Sequence, residues 1–222
     1  MLFRSEEFAP YQWSYQDAEA LKYADAEFDW CVVHNGLHHC YSPHRALLEM
    51  YRVARKGIVV FEPRDTLLVR VGVRLGLGQE YEVASVWGNN CQFGGVRNTA
   101  IPNYVYRWTE REVEKTLCCF EPLGRPRVRY FYALRVPEER LRATRNKWLV
   151  LAARLAIPVA KLLAAIFPRQ SNCFAMLVEK PVYPQDLHPW LAMGAGGPTV
   201  NRTWLEARYA AGANKWKSLS RK

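Results

Sequence analysis

Asp17-Ala18-Glu19-Ala20-Leu21, then Phe28-Asp29-Trp30-Cys31-Val32-Val33-His34-Asn35-Gly36-Leu37-His38-His39, then Ile58-Val59-Val60-Phe61-Glu62-Pro63 is the stretch that decides the fold. Two short apolar runs, 28–33 and 58–61, are bounded by turn and helix signals, the pattern of parallel strands covered on both faces. Between them Ser42 is a good N-cap and Pro43 suits the first helical position. Ala46, Leu47, Met50 and Val53 recur at helical spacing. Arg55 and Lys56 complement the helix C-terminus, and Gly57 reads as its left-handed cap. Strand, helix and strand within so short a span make a βαβ unit.

Outward from this unit, Gln12–Gln16 reads as an earlier strand. Thr66–Leu75 has apolar residues at helical spacing, and 76–107 is a long connection rich in Gly, Asn and aromatics. Connections of that length in compact domains are usually functional or disordered. Thr109 opens a helix with Glu112 completing a capping box; its apolar positions, Val113 and Leu117, are few, as on a surface helix. Arg127–Val136 and Cys173–Glu179 read as the closing strands.

The segment Trp148–Phe167 is nearly all apolar and long enough to span a bilayer. Arg154 and Lys161 in its middle and Pro158 argue against a span. Two cations seven residues apart, flanked by Arg142, Arg145, Lys147 and Arg169, fit an interfacial helix or lid. A core helix with snorkelling cations is the alternative. The region from Tyr183 onward, including Trp204 and Trp216, reads as a basic peripheral tail.

The chain of 222 residues can bury one substantial core. The domain division is therefore 1–182, with an insertion at about 137–170, and a tail over 183–222. Its start shows no secretory signal. Six cysteines without framework spacing read as buried, reduced thiols of a cytoplasmic protein. The net charge of +10 is concentrated between Arg125 and Arg169, where only Glu138 and Glu139 oppose the cations. RNA or an anionic membrane surface are the partners such charge suits. Arg125 to Tyr132 interleaves cations with aromatics, as single-strand nucleic-acid surfaces do, and equally as a strand with one solvated basic face does.

The stretch 17–63, in its order and spacing, resembles the class I S-adenosylmethionine-dependent methyltransferases, in particular their type 11 group. The resemblance implies an α/β, Rossmann-like methyltransferase sheet with a hydrophobic and basic helical insertion before the last strand. The cofactor the resemblance implies is S-adenosylmethionine. Asp17 with Ala18 would accept from the adenine amine, and His34, Asn35 and Gly36 would line the methionine end. These residues lie where ligands bind in open α/β sheets, outside the carboxyl ends of the strands. His38 or His39 becomes the candidate general base or orienting group, with a pKa near working pH. Glu62 would touch substrate or cap the turn before Pro63.

The glycine-rich turn and the acidic residue that the family carries after its first two strands have no counterpart here. The sheet is accordingly expected to be incomplete at the N-terminus, in a truncated chain. The implied reaction is methyl transfer to a small-molecule or lipid-linked acceptor, in a cytoplasmic protein with an optional membrane-peripheral contact through 148–167. An RNA methyltransferase and a non-catalytic partner subunit are the alternatives. Clustering of His34, His38, His39, Cys40 and His44 can signal zinc. The spacing matches no metal motif and Gly36 interrupts it, so no metal is expected.

Overall fold

A computed structural model describes residues 10–136 and 147–210. Arg142, Arg145 and Trp216 lie outside the described residues, as do parts of the expected insertion and tail. The central sheet has the order β1-β2-β4-β3. Its strands are β1 (Phe28–His34), β2 (Ala54–Pro63), β3 (Arg127–Ala133) and β4 (Cys173–Glu179). β1 and β2 are parallel and joined through α1 (Pro43–Val53), the expected βαβ unit, while β4 runs antiparallel to both β2 and β3. The fold is thus mixed α/β with a parallel pair at one side of the sheet.

The helix signals translate directly. Ser42 accepts from the Arg45 N–H at the start of α1, and Thr66 accepts from Val69 N–H at the start of α2 (Leu67–Arg74). Thr109 and Glu112 form the full capping box of α4 (Glu110–Phe120), which follows α3 (Val83–Gly88). Val113 and Leu117 are few and both fully buried, so α4 seats one narrow stripe on the core while Arg111, Lys115, Cys118, Cys119 and Phe120 stay exposed, as on a surface helix. With Ala46, Leu47 and Met50 of α1 and Trp108, Val113 and Leu117 cover one sheet face, made of Ile58, Val60, Phe174, Met176 and Val178. Each fully buried Val, Leu, Ile, Phe or Met among them contributes about 1.5–3 kcal/mol by leaving water.

Several expectations are corrected here. The sheet is covered on one face only. On the other, Trp30, Val32, Phe61 and Phe131 are exposed. Gln12–Gln16 forms no strand. Tyr11, Trp13 and Tyr15 are exposed, and the nearest pairing is an isolated bridge between Asp17 and Ala20. Gly57 is no helix cap, since α1 passes straight into β2 through extended Ala54. Glycine is needed there for space: a Cβ would stand 2.1 Å from the Val178 carbonyl oxygen and 2.7 Å from the Trp30 ring. Of the six cysteines, all free, Cys91, Cys118 and Cys119 are exposed and not buried.

The long connection folds back on itself. Arg107 donates to the Gln79 carbonyl at 2.6 Å, the Val105 N–H to Glu80 and the Glu82 N–H to Asn103. The expected tail is in part ordered. β5 (Leu191–Gly194) and β6 (Gly197–Val200) form a hairpin that leads into a helix at Arg202–Tyr209. Arg127–Asp186 and Tyr183–Glu121 hydrogen bonds tie its beginning to the domain.

Lys147–Ile166 is a twenty-residue helix, here α5. It is not a core helix: of its described side chains Ala153 alone is buried, while Leu151, Leu155, Val159, Leu162 and Ile166 are exposed. No helix among the described residues is long and apolar enough to cross a membrane.

Candidate functional site

The loop between β1 and α1 is built around one buried carboxylate. Glu62, at the end of β2 and 1% exposed, accepts from the Gly36 and Leu37 N–H groups through Oε1, each at 2.8 Å. Its Oε2 accepts from His38 Nδ1 at 2.7 Å. Asn35 reaches this turn in the left-handed region, at φ 51°, and its N–H donates to the Phe61 carbonyl. The backbone donors of residues 35–37 therefore all point inward. Glu62, expected at the substrate or as a turn cap, is an internal clamp on the loop that carries the histidines.

The two histidines turn their other nitrogens the same way. A carboxylate and a carbonyl can only accept, so the bonds from His38 Nδ1 to Glu62 and from His39 Nδ1 to the Gly95 carbonyl, at 3.2 Å, place a hydrogen on Nδ1 in each ring. Both Nε2 atoms then face Glu82 from the long connection, at 3.5 Å for His38 and 3.4 Å for His39. The Glu82 Oε2 at this meeting point is buried without a hydrogen bond. Asn103 fixes the backbone beneath by donating to the His38 carbonyl at 3.0 Å.

Burial opposes charge on His38, but Glu62 bonded to it and Glu82 facing it outweigh burial and push it up to about 9. The facing His38 ring in turn holds the Glu82 carboxyl below the usual range. The His38 side chain is 4% exposed and that of His39 30%. His39 is thus the ring that solvent or a ligand can reach.

Beside this pair lies a second network. Asp17 Oδ1 accepts from the Glu19 N–H, and Oδ2 stands 3.1 Å from Arg97. Glu19 accepts from the Tyr41 and Ser42 N–H groups and also pairs with Arg97, whose guanidinium covers the Tyr41 ring. The loop holding Asp17 and Ala18 is thereby tied to the loop holding His38 and His39. Both Asp17 and Ala18 remain open to solvent.

The remaining residues of the histidine cluster disperse. His34 packs against the Phe61 ring on the open face of the sheet. His44 bonds Glu112 at 2.9 Å, and Cys40 lies against the Gly36 carbonyl. The groove lined by Glu114, Leu117, Cys118 and Arg125–Val128 shares no residue with either network. Sequence reasoning missed Glu82, Arg97, Glu19 and Asn103. Glu82 and Arg97 come from the long aromatic connection, where no spacing ties them to residues 38 and 39.

Residues 2–61 match the family model of a methyltransferase domain, type 11. A comparison with curated proteins finds no match. Among solved structures the chain is similar to a SAM-dependent methyltransferase of Thermotoga maritima described as a possible histamine N-methyltransferase. Identity is 13% over 74% of this chain and 61% of that one, with a TM-score of 0.39. A methyltransferase of Bacillus halodurans shows 15% identity over 75% and 76%, TM-score 0.37. The methyltransferase in complex with its Trm112 activator from Haloferax volcanii shows 12% over 75% and 60%, TM-score 0.39. The chain thus spans about three-fifths of the first and third of these proteins, and at such scores the likeness carries no weight for activity. Over residues 2–61, then, the sequence is similar to a methyltransferase domain of the type 11 model.

Proposed function

We propose that this protein takes part in SAM-dependent methyl transfer to a small-molecule or lipid-linked acceptor. The observation that carries the reading is the methyltransferase-domain match over residues 2–61. The groups present fit the cofactor in part. Asp17, partly open, can accept from an adenine amine, and the carbonyls and side chains of His34, Asn35 and Gly36 can meet the methionine end. The N–H groups of residues 35–37 are engaged by Phe61 and Glu62, so a cofactor carboxylate must find its donor elsewhere. When bound, the cofactor supplies an electrophilic methyl group. This chain's residues hold and align the partners. His39, whose Nε2 lies on the partly exposed side of the pair, is the candidate to take the acceptor's proton where one must leave.

Calorimetric titration with S-adenosylmethionine, beside an Asp17→Ala variant, tests this. Saturable binding that the variant loses is the expected result. No binding by the folded protein overturns the reading for this chain and leaves a non-catalytic partner role.

An anionic membrane surface is a second partner, favoured by α5. Leu151, Leu155, Val159, Leu162 and Ile166 form an exposed apolar stripe at helical spacing, opposite buried Ala153, with exposed Lys147, Arg154 and Lys161 along its flank. That combination suits a helix lying in a headgroup layer. Phosphatidylcholine vesicles containing phosphatidylserine should sediment the protein, and Leu155→Glu should abolish it. Equal sedimentation of the variant would sink the idea.

A further inference from the structure

We propose that His38, His39 and Glu82 form a binding site for a divalent transition-metal ion of the zinc class. The ligand atoms would be the two Nε2 nitrogens and Glu82 Oε2, which all lie within 4.8 Å of one another. This goes beyond the methyl-transfer reading and does not rest on it.

Three observations converge. The first is spacing. Bonds of 2.0–2.2 Å from zinc to nitrogen or oxygen place tetrahedral ligands about 3.3–3.6 Å apart. Glu82 Oε2 stands 3.5 and 3.4 Å from the two Nε2 atoms. That is longer than the usual 2.9–3.0 Å of an N–H···O bond, and these two edges match a coordination tetrahedron, while the two Nε2 atoms lie within 4.8 Å of each other.

The second is orientation. Ligating histidines characteristically donate their other ring N–H to a carboxylate or a backbone carbonyl, which fixes the tautomer. Here His38 Nδ1 is held by the Glu62 carboxylate and His39 Nδ1 by the Gly95 carbonyl. Both lone pairs are thus aimed at the same point. Glu62 is itself anchored by two backbone N–H groups, so this outer support is rigid.

The third is the lack of a hydrogen bond at the centre. Glu82 Oε2 is buried without one. Two imidazole lone pairs and a carboxylate pointing at one another repel unless a cation lies between them. A proton on His38 serves in part, across a long contact. A metal ion serves all three groups at once.

Two histidines and one carboxylate leave at least one position open. His39, the partly exposed member, sets the side from which an oxygen ligand would enter. A hydroxyl or enol oxygen bound there would be polarised by the metal. With the ion in place His39 is a ligand and not a base.

The test uses chelator-stripped, full-length protein titrated with Co2+ and followed by its visible ligand-field absorption, with Zn2+ as competitor. One Co2+ per chain, displaced by one Zn2+, is expected. His39→Ala and Glu82→Gln should each weaken binding at least tenfold, with unchanged far-UV circular dichroism, while His188→Ala should bind as the parent does. Absence of saturable binding, or binding untouched by both substitutions, overturns the proposal. A second measurement needs no variant: Zn2+ should protect His39 from diethyl pyrocarbonate in the parent chain. Unprotected modification at saturating Zn2+ likewise overturns it.

Discussion

Replacing Glu62 should cost more stability than replacing any other single polar side chain of the site, and the structure says roughly how much. Its carboxylate, 1% exposed, takes three hydrogen bonds of 2.7–2.8 Å, two from backbone N–H groups and one from an imidazole. Hydrogen bonds to charged groups contribute about 1.5–3 kcal/mol each. Against this stands the cost of holding a carboxylate away from water, itself several kcal/mol. Glu62→Ala removes the acceptor and leaves three donors without it, one of them the charged His38 imidazole, so the net loss should be about 3–5 kcal/mol, as for breaking other buried ion pairs. Glu62→Gln keeps a carbonyl oxygen for Gly36 and Leu37. It loses the bond to His38, whose Nδ1–H then meets an amide, for about 1–2 kcal/mol. Equilibrium urea unfolding of metal-free protein gives both numbers, provided the slopes agree with the parent's. An Ala variant within 1 kcal/mol of the parent, or a Gln variant as damaged as the Ala one, would refute the clamp.

Other expectations concern the scaffold. Gly57→Ala should destabilise by about 1–3 kcal/mol or more, because its methyl must displace the Val178 carbonyl or the Trp30 ring; an unchanged thermal midpoint would contradict that contact. Thr109→Ala should cost about 1 kcal/mol by opening the capping box of α4, measurable by denaturant titration. Burial pushes the Cys31 and Cys173 thiols up, so near pH 8 both are neutral and slow to alkylate. Mass spectrometry of iodoacetamide-treated protein should show Cys91, Cys118 and Cys119 labelled first. The gap should narrow as pH rises and the thiolates of half-buried Cys31, Cys40 and Cys173 form.

Local signals carried the elements well. Ser42 and Thr109 are N-caps because a side-chain oxygen needs only its own next turn, and Cys173–Glu179 is a strand with the bounds read from its pattern. What failed depended on partners. Gln12–Gln16 alternates like a strand, but a strand exists only where another pairs with it. Gly57 looked like a cap because glycine after cations commonly is one, while the actual demand comes from a carbonyl more than a hundred residues away. The site divides in the same way. His38 and His39 follow β1 and were legible, whereas Glu82 reaches them only because the long connection doubles back through Arg107 and Asn103.

The sheet's uncovered face has a calorimetric consequence. Val32 and Phe131 are already more than half exposed in the folded chain, and Trp30 and Phe61 about 40%, so unfolding adds less new apolar surface here than on the covered face. The heat capacity of unfolding grows with the apolar surface newly exposed, at roughly 12–15 cal/mol/K per residue in ordinary domains. This protein should fall below that range. Its stability would then vary over temperature as a flatter, shallower dome than its length implies.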